Sequence, residues 1–268
     1  MTNQTPDRRP AIYHDLHHNQ MRRREEAIRH SAEVILSELF RRFSPRSALD
    51  VGCGMGIWLQ AAQALGVADI QGIEGDWLDK NLLRIPQQHV ATLDLEQVFD
   101  LGRRFDLVIC LEVAEHLQPA AAGPLVESLV RHADVVLFSA AIPFQGGHHH
   151  VNEQFPDYWD RLFQRFDYRA IDFLRPIIWT NPAVLWWLRQ NILVFAKREL
   201  TIDEAPFVGL SERAKPLSLV HPGLYLMKVK QAQSVQEEHD QLLALLRSGD
   251  TFSVVHHPNG QLTITRTN

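Results

Sequence analysis

The segment Leu49-Asp50-Val51-Gly52-Cys53-Gly54-Met55-Gly56 constrains the fold more than any other stretch of the chain. An apolar, strand-forming run ends in three glycines at alternate positions, and a helical pattern follows at once, with Trp58, Leu59, Ala62 and Leu65 near one face. The glycines therefore sit on a strand-to-helix turn. Glycine there permits positive φ and lets the backbone approach a ligand closely. The helix N-terminus behind the turn offers free N–H groups and the positive end of a dipole. A nucleotide cradle at the end of a buried strand is the expected result.

The rest of the chain supports an α/β sheet. Strands are predicted at Ala48–Val51, Asp69–Glu74, His89–Leu93, Phe105–Leu111 and Val135–Ser139, with helical segments between them. Such alternation implies a mostly parallel sheet with helices on both faces. Two further strand candidates, Tyr168–Leu174 and Gln190–Lys197, follow a helical stretch at Phe155–Phe166 and suit antiparallel pairing at one edge. The expected fold is a Rossmann-like, seven-stranded sheet preceded by a polar tail to about Asn19 and an amphipathic helix from Gln20 to Phe43. Three regions are expected: 1–46 as tail and helix, 47–200 as the cofactor domain, and 201–268 as an extension packed on the main domain. That extension reads as a loop to Tyr225, a helix, and a hairpin turning at Asn259-Gly260.

Composition narrows the setting. With 268 residues, 45% hydrophobic and 22% charged, the chain has the make-up of a globular protein with a sizeable core. A net charge of −5 argues against a nucleic-acid-coating surface. Cys53 and Cys110 lie in or beside apolar runs and read as small core residues of a reducing compartment. The polar N-terminus has no signal-peptide core, and the longest apolar tract, from Ile177 to Ala196, is broken by Asn181, Pro182, Arg189, Gln190 and Asn191. A cytoplasmic protein without a membrane span is expected.

The glycine spacing selects the nucleotide. A dinucleotide turn reads G-x-G-x-x-G, but here the third glycine comes one residue early and Ile57 occupies the usual place. Asp50, two residues before the first glycine, gains nothing from a pyrophosphate but suits a ligand with a cationic amino-acid end. "LDVGCGMG" resembles the first motif of the class I S-adenosylmethionine (SAM) dependent methyltransferases. "IQGIEGDW", "ATLDLEQ" and "FDLVICLEVAEHL" resemble that family's later motifs in the same order, across roughly Ser47 to Lys197. The resemblance implies that SAM is held by Asp50, Gly52, Cys53, Gly54 and Gly56. It gives the ribose hydroxyls to Glu74 beside Gly75, the adenine to Asp94 and Leu95, and the methyl-facing wall to Leu111 and Glu112.

Two segments are candidates for the chemistry. "CLEVAEHL" places Glu112, Glu115 and His116 at the C-terminal end of a parallel strand, where α/β sheets hold their ligands. Its E-x-x-E-H spacing resembles the metal-binding segment of small-RNA 2′-O-methyltransferases and of ubiquinone-pathway O-methyltransferases. That likeness implies a divalent cation such as Mg²⁺ at Glu112, Glu115, His116 and a loop histidine, with His150 the candidate. "IPFQGGHHHVNEQFPDYW" follows the fifth strand and should overhang the methyl group. It supplies His148, His149 and His150 as general bases or a metal ligand, Asn152, Glu153 and Gln154 as readers of hydroxyl groups, with Glu153 also a candidate catalytic residue, and Phe155, Tyr158 and Trp159 as flat faces for an acceptor. The same segment, together with Ile177-Ile178-Trp179 and "VHPGLY", resembles methyltransferases associated with bacterial surface-polysaccharide synthesis.

The leading expectation is O-methylation of a glycan or nucleotide-sugar hydroxyl, with His150 or His116 as base. A quinone or phenol acceptor and an RNA 2′-hydroxyl remain as alternatives within the enzyme class. A nicotinamide oxidoreductase is opposed by Asp50 and the early third glycine. A non-catalytic SAM-fold partner is opposed by the complete set of Asp50, Glu74 and Asp94.

Overall fold

The structure is a computed structural model that describes residues 9–200, 218–247, 251–256 and 262–267. Helix α1 (Arg9–Phe40) leads into β1 (Ser47–Val51), α2 (Ile57–Ala64), β2 (Asp69–Glu74), β3 (Val90–Thr92) and β4 (Leu107–Leu111). Then come α3 (Ala122–His132), β5 (Val135–Ser139), α4 (Pro156–Gln164), β6 (Tyr168–Ile171), α5 (Leu174–Ile178), α6 (Trp186–Asn191) and β7 (Leu193–Lys197).

Seven strands form one sheet in the order β3-β2-β1-β4-β5-β7-β6. β1 to β5 are parallel, while β7 is antiparallel to both β5 and β6. β1 lies between β2 and β4, so the chain leaves β1 toward one edge and returns on its other side. That reversal opens a crevice at the C-terminal ends of β1 and β4, the place where such sheets bind ligands.

Every residue of β5 is buried, as expected for a strand covered on both faces. One face packs on Ile35, Leu36 and Leu39 of α1 and on Leu59 and Ala62 of α2. The other packs on Leu125, Val126 and Leu129 of α3 and on Trp159 and Phe163 of α4. Phe163 stacks on Phe195 of β7 with centroids 3.9 Å apart. The apolar side expected of the first helix is the side that is buried.

The boundaries differ at three places. The tail expected to be loose is helical from Arg9, because Pro10 is tolerated in a first turn and lengthening an existing helix costs far less than nucleating one. Tyr168–Leu174 stops as a strand at Ile171, where α5 begins shortly after. Gln190 and Asn191, expected in a strand, end α6 instead, and β7 starts at Leu193.

The chain divides into two compact units, one ending at His221 and one beginning at Pro222. The second contains a 26-residue helix α7 (Pro222–Arg247) and an antiparallel hairpin of β8 (Thr251–His256) and β9 (Leu262–Thr267), with Val254 opposite Ile264. The expected Asn259-Gly260 turn and most of the expected loop after residue 200 lie outside the described residues. No described helix is long and apolar enough to cross a membrane.

One buried hydroxyl ties the first helix to the segment entering α6. Ser31 Oγ donates to Ala27 O at 2.7 Å and accepts the Leu185 N–H at 3.0 Å. Ser31→Ala leaves that N–H unpaired in a dry setting, at about 1–3 kcal/mol. The urea midpoint of the main unit should fall accordingly with the slope unchanged.

Candidate active site

The turn after β1 is pinned from two sides. The N–H groups of Gly52 and Cys53 both donate to Ile73 O, at 2.9 and 3.0 Å, which ties the turn to the end of β2. Gly52, Gly54 and Gly56 all have positive φ, at 78, 51 and 78°. A Cβ on Gly52 would stand 2.4 Å from Val113 Cγ2, so any side chain there meets both strain and a clash. The turn is thus a backbone surface open on one side only.

Two carboxylates face it. Glu74, at the end of β2, accepts the Gly54 N–H through Oε2 at 2.7 Å and the Gly75 N–H through Oε1 at 2.9 Å. Asp50 is only 2% exposed, and its Oδ2 has no hydrogen-bond partner. Burial raises the Asp50 pKa well above the ordinary carboxylate range, and the neighbouring charge of Glu74 adds to the rise. Burial also pushes Glu74 up to about 7, against the two backbone N–H groups that favour its ionised form. An orphaned buried carboxylate beside a glycine turn fits an ammonium group, and an ionised carboxylate beyond it fits a pair of hydroxyls; SAM carries both. Cys53 and Leu95 are both buried. Asp94 is exposed, its Oδ1 accepting the Glu96 N–H at 2.9 Å.

The second cluster lies at the ends of β4 and β5. Glu112 has a left-handed backbone, φ 55°, rare for a residue with a side chain. Its N–H donates to Ser139 O at 3.0 Å, which fixes that conformation against β5. Its carboxylate is taken by two amides, Asn191 Nδ2 at 3.1 Å and Gln145 Nε2 at 3.5 Å. Gln190 Nε2 donates to Gln145 Oε1 at 2.9 Å and to Asn191 Oδ1 at 3.0 Å, closing a buried amide network. Burial pushes the Glu112 carboxyl upward.

Glu115 is completely buried. Neither of its oxygens completes a well-formed hydrogen bond. Burial, and then the charge of Glu112, raise its pKa well above the usual range; the N–H groups of Glu115 and Ala141 only soften the rise. The Glu115 carbonyl holds the histidine loop in place by accepting the N–H groups of Val151 and Asn152, at 2.8 and 3.0 Å. The loop's hub is Glu153. One carboxylate oxygen accepts the Phe144 N–H at 2.7 Å, and the other accepts the Gly146 N–H and contacts His150 Nδ1, both at 2.9 Å. A Cβ at Gly147 would stand 2.1 Å from His150 Nε2, so only glycine leaves that nitrogen room. The rings of His150 and His116 meet edge-on at 4.9 Å.

Glu115, His116 and His150 each bring a ligand atom within 4.8 Å of the others, a spacing a cation could bridge. Glu112, expected in the same set, instead faces the amides. Of the aromatic residues expected to form an acceptor surface, Trp159 is 2% exposed and packs on Phe138, with Tyr158 against it. Helix α4 turns Trp159 inward and leaves Tyr158 half-buried, while Phe155, just ahead of the helix, stays exposed. Phe144, which the sequence did not single out, is 83% exposed at φ 63° beside the histidine loop. Gln145, Gln190 and Asn191 were also missed as a site; the signal was two amides interrupting an apolar tract.

Residues 20–190 match the methyltransferase-domain family. The chain belongs to that family. Its main unit is a SAM-dependent methyltransferase domain. Among curated relatives, it is 34% identical over 103 residues to the ubiquinone biosynthesis O-methyltransferase of Neisseria meningitidis serogroup C. It is 32% identical over 102 residues to the ribosomal protein L11 methyltransferase of Laribacter hongkongensis. These matches cover 35% and 37% of this chain but only 43% and 34% of the relatives, so the chain spans less than half the length of either. The sugar N-methyltransferase KedS8 of Streptoalloteichus has the same fold, with TM-score 0.53, 20% identity and coverage of 74% of this chain and 98% of that one. The plantazolicin methyltransferase BpumL, solved with S-adenosylhomocysteine (SAH), gives 0.51 at 16% identity over 71% and 92%.

If Asp50 meets the ammonium of SAM, Asp50→Asn removes the charge opposite it. The lost charge-assisted bond should weaken SAH binding about 10- to 100-fold. The melting temperature of the free protein should hold or rise, because the repulsion between Asp50 and Glu74 disappears. A second expectation follows from the raised pKa of Glu74. The free fold retains a proton on Glu74 up to about 7, where the unfolded chain has already lost it, so this group's contribution to stability declines as pH rises from 4.5 toward 7. Cofactor hydroxyls donating to Glu74 would favour its ionised form. The rise in melting temperature given by saturating SAH should therefore be larger at pH 8 than at pH 6, and Glu74→Gln should remove the difference.

Proposed function

We propose that this protein transfers the methyl group of SAM to a hydroxyl of a sugar, glycan or nucleotide-sugar, with His150 as general base. The observation that carries the reading is the contact of Glu153 with His150 Nδ1 at 2.9 Å, on a loop that overhangs the ends of β4 and β5. Bound SAM supplies an electrophilic methyl on a sulfonium. Asp50 pairs with its ammonium, Glu74 takes the ribose hydroxyls, and Asp94 with Leu95 receives the adenine.

Methyl transfer is an in-line displacement, so alignment does much of the work. A hydroxyl nucleophile must also shed a proton. Glu153 accepts a hydrogen bond from His150 Nδ1–H, which sets the tautomer and leaves Nε2 to take the proton. The carboxylate then stabilises the imidazolium that forms. His116, edge-on to His150, is the alternative base. The sugar neighbour and the O-methyltransferase relative each fit part of this reading; a small phenol or quinone acceptor would need the same base.

A second reading adds a divalent cation at Glu115, His116 and His150. The mixed carboxylate and imidazole set suits Mg²⁺ or Mn²⁺ better than a thiolate-seeking metal. A buried carboxylate with two unsatisfied oxygens fits such an ion. Bound there, the ion would lower the pKa of an acceptor hydroxyl.

The two readings separate experimentally. Transfer of labelled methyl into a carbohydrate fraction should fall about 100- to 10,000-fold in His150→Ala, with SAH affinity unchanged. Glu153→Gln should fall less and shift the pH–rate profile. Insensitivity to chelator keeps His150 as a base alone, and loss restored by Mg²⁺ or Mn²⁺ moves it to the metal set. Label in RNA or in lipophiles would overturn the acceptor assignment.

A further inference from the structure

Arg189 carries a charge that its surroundings do not balance. It lies in α6 with its side chain half-buried, and its Nη1 donates to Trp179 O at 3.1 Å. Its Nε is shut from solvent and makes no hydrogen bond. Among the described residues no carboxylate lies within the 4.0 Å ion-pair distance of its guanidinium. Elsewhere in this unit Arg84, Arg131 and Arg175 each face an acidic side chain.

A second basic side chain converges on the same carbonyl. His221 Nε2 lies 3.3 Å from Trp179 O, and the His221 ring packs on the Trp179 ring at 4.9 Å between centroids. The His221 N–H donates to Gln190 Oε1 at 2.7 Å, so its backbone is fixed to the buried amide network. Burial lowers the pKa of Arg189, and burial together with the nearby Arg189 charge lowers that of His221.

The position is at the reacting end of the sheet. α6 passes directly into β7, whose first residue Leu193 pairs with Phe138 near the C-terminal end of β5. Asn191, two residues beyond Arg189, holds the Glu112 carboxylate.

We propose that Arg189 and His221 form an anion subsite of the acceptor pocket, which receives a phosphate or carboxylate group of the substrate. The inference rests on the hydroxyl-methylating reading and narrows its substrate class to anionic acceptors, such as a sugar bearing phosphates or a uronic acid. Leaving a partly buried guanidinium unpaired is costly, and an oxyanion removes that cost. A guanidinium offers five N–H donors in a planar fork that matches phosphate and carboxylate oxygens, and one of the five is used here. The Trp179 face beside His221 suits an apolar ring edge.

The test is calorimetric titration of the SAH-saturated full chain with inorganic pyrophosphate and, separately, with glucuronate. The wild type should bind at least one of them, and the stronger identifies the group. Arg189→Gln loses both the charge and the guanidinium fork, and should bind roughly tenfold or more weakly. Arg161→Gln, on the exposed side of α4, should match the wild type. Should Arg189→Gln not fold, His221→Gln provides the same comparison. Failure of both anions to bind the wild type, or equal binding by Arg189→Gln, overturns the subsite. Arg189-dependent binding without methylation of any sugar phosphate or uronate keeps the subsite and overturns the sugar acceptor instead.

Discussion

Two acids buried in one dry corner govern the cofactor half of this molecule. Asp50 and Glu74 sit at the ends of adjacent strands, both with pKa values raised by burial, and that of Asp50 raised further by the charge of Glu74. A core built for stability alone would not keep that pair. Their cost is offset only when a ligand brings a positive group to one and hydroxyl donors to the other. The surrounding architecture follows from holding them in place. Parallel pairing of β1 with β2 brings the two acids together, and the glycine turn presents N–H groups to Glu74. The doubled hydrogen bond to Ile73 O keeps the turn from relaxing away.

The acceptor half is held differently. There the backbone is strained at Glu112, Phe144 and His149, all with positive φ, and side chains restrain it. Such conformations cost about 1–3 kcal/mol each and persist only where the surroundings over-determine them. The Glu153 carboxylate supplies that restraint for the loop by holding Phe144, Gly146 and His150 at once. The amides of Asn191 and Gln145 supply it for Glu112. One consequence is that Glu153 has two roles: it orients the His150 ring and it shapes the loop on which that ring stands.

How legible each half was in the sequence follows from this contrast. Asp50 and the glycines are contiguous, and Glu74 ends the next strand, so a short pattern with regular alternation showed the fold and the closeness of these residues to one turn. The amide network joins residues far apart in the chain: Asn191 reaches Glu112 across 79 positions and Gln190 reaches Gln145 across 45. No local pattern signals such contacts. Gln190 and Asn191 looked like mere interruptions of an apolar tract, and their polarity hid the helix that places them. Trp159 misled for the opposite reason. Its side chain suits a binding surface as well as a core, and only the turn of α4 toward Phe138 decides between them. His150 and Glu153 stood on a loop that the sequence did single out, but their contact was not read there, because three residues' separation on an irregular loop does not fix which side chains meet.

The same contrast separates what is hard to change in this fold from what is easy. The cofactor cradle is made mostly of backbone and of strand-end acids, so changing it means changing β1 or β2, where every neighbour is packed. The acceptor side is made of loop and short-helix side chains that meet through hydrogen bonds. On the proposed reading, replacing Arg189 or Phe144 would alter what the pocket attracts without touching the strands beneath. Affinity for the methyl donor would then be fixed by the deepest part of the fold, and selection of the acceptor would rest on a layer above the strand ends, where a substrate can meet a charge that lacks a counter-charge.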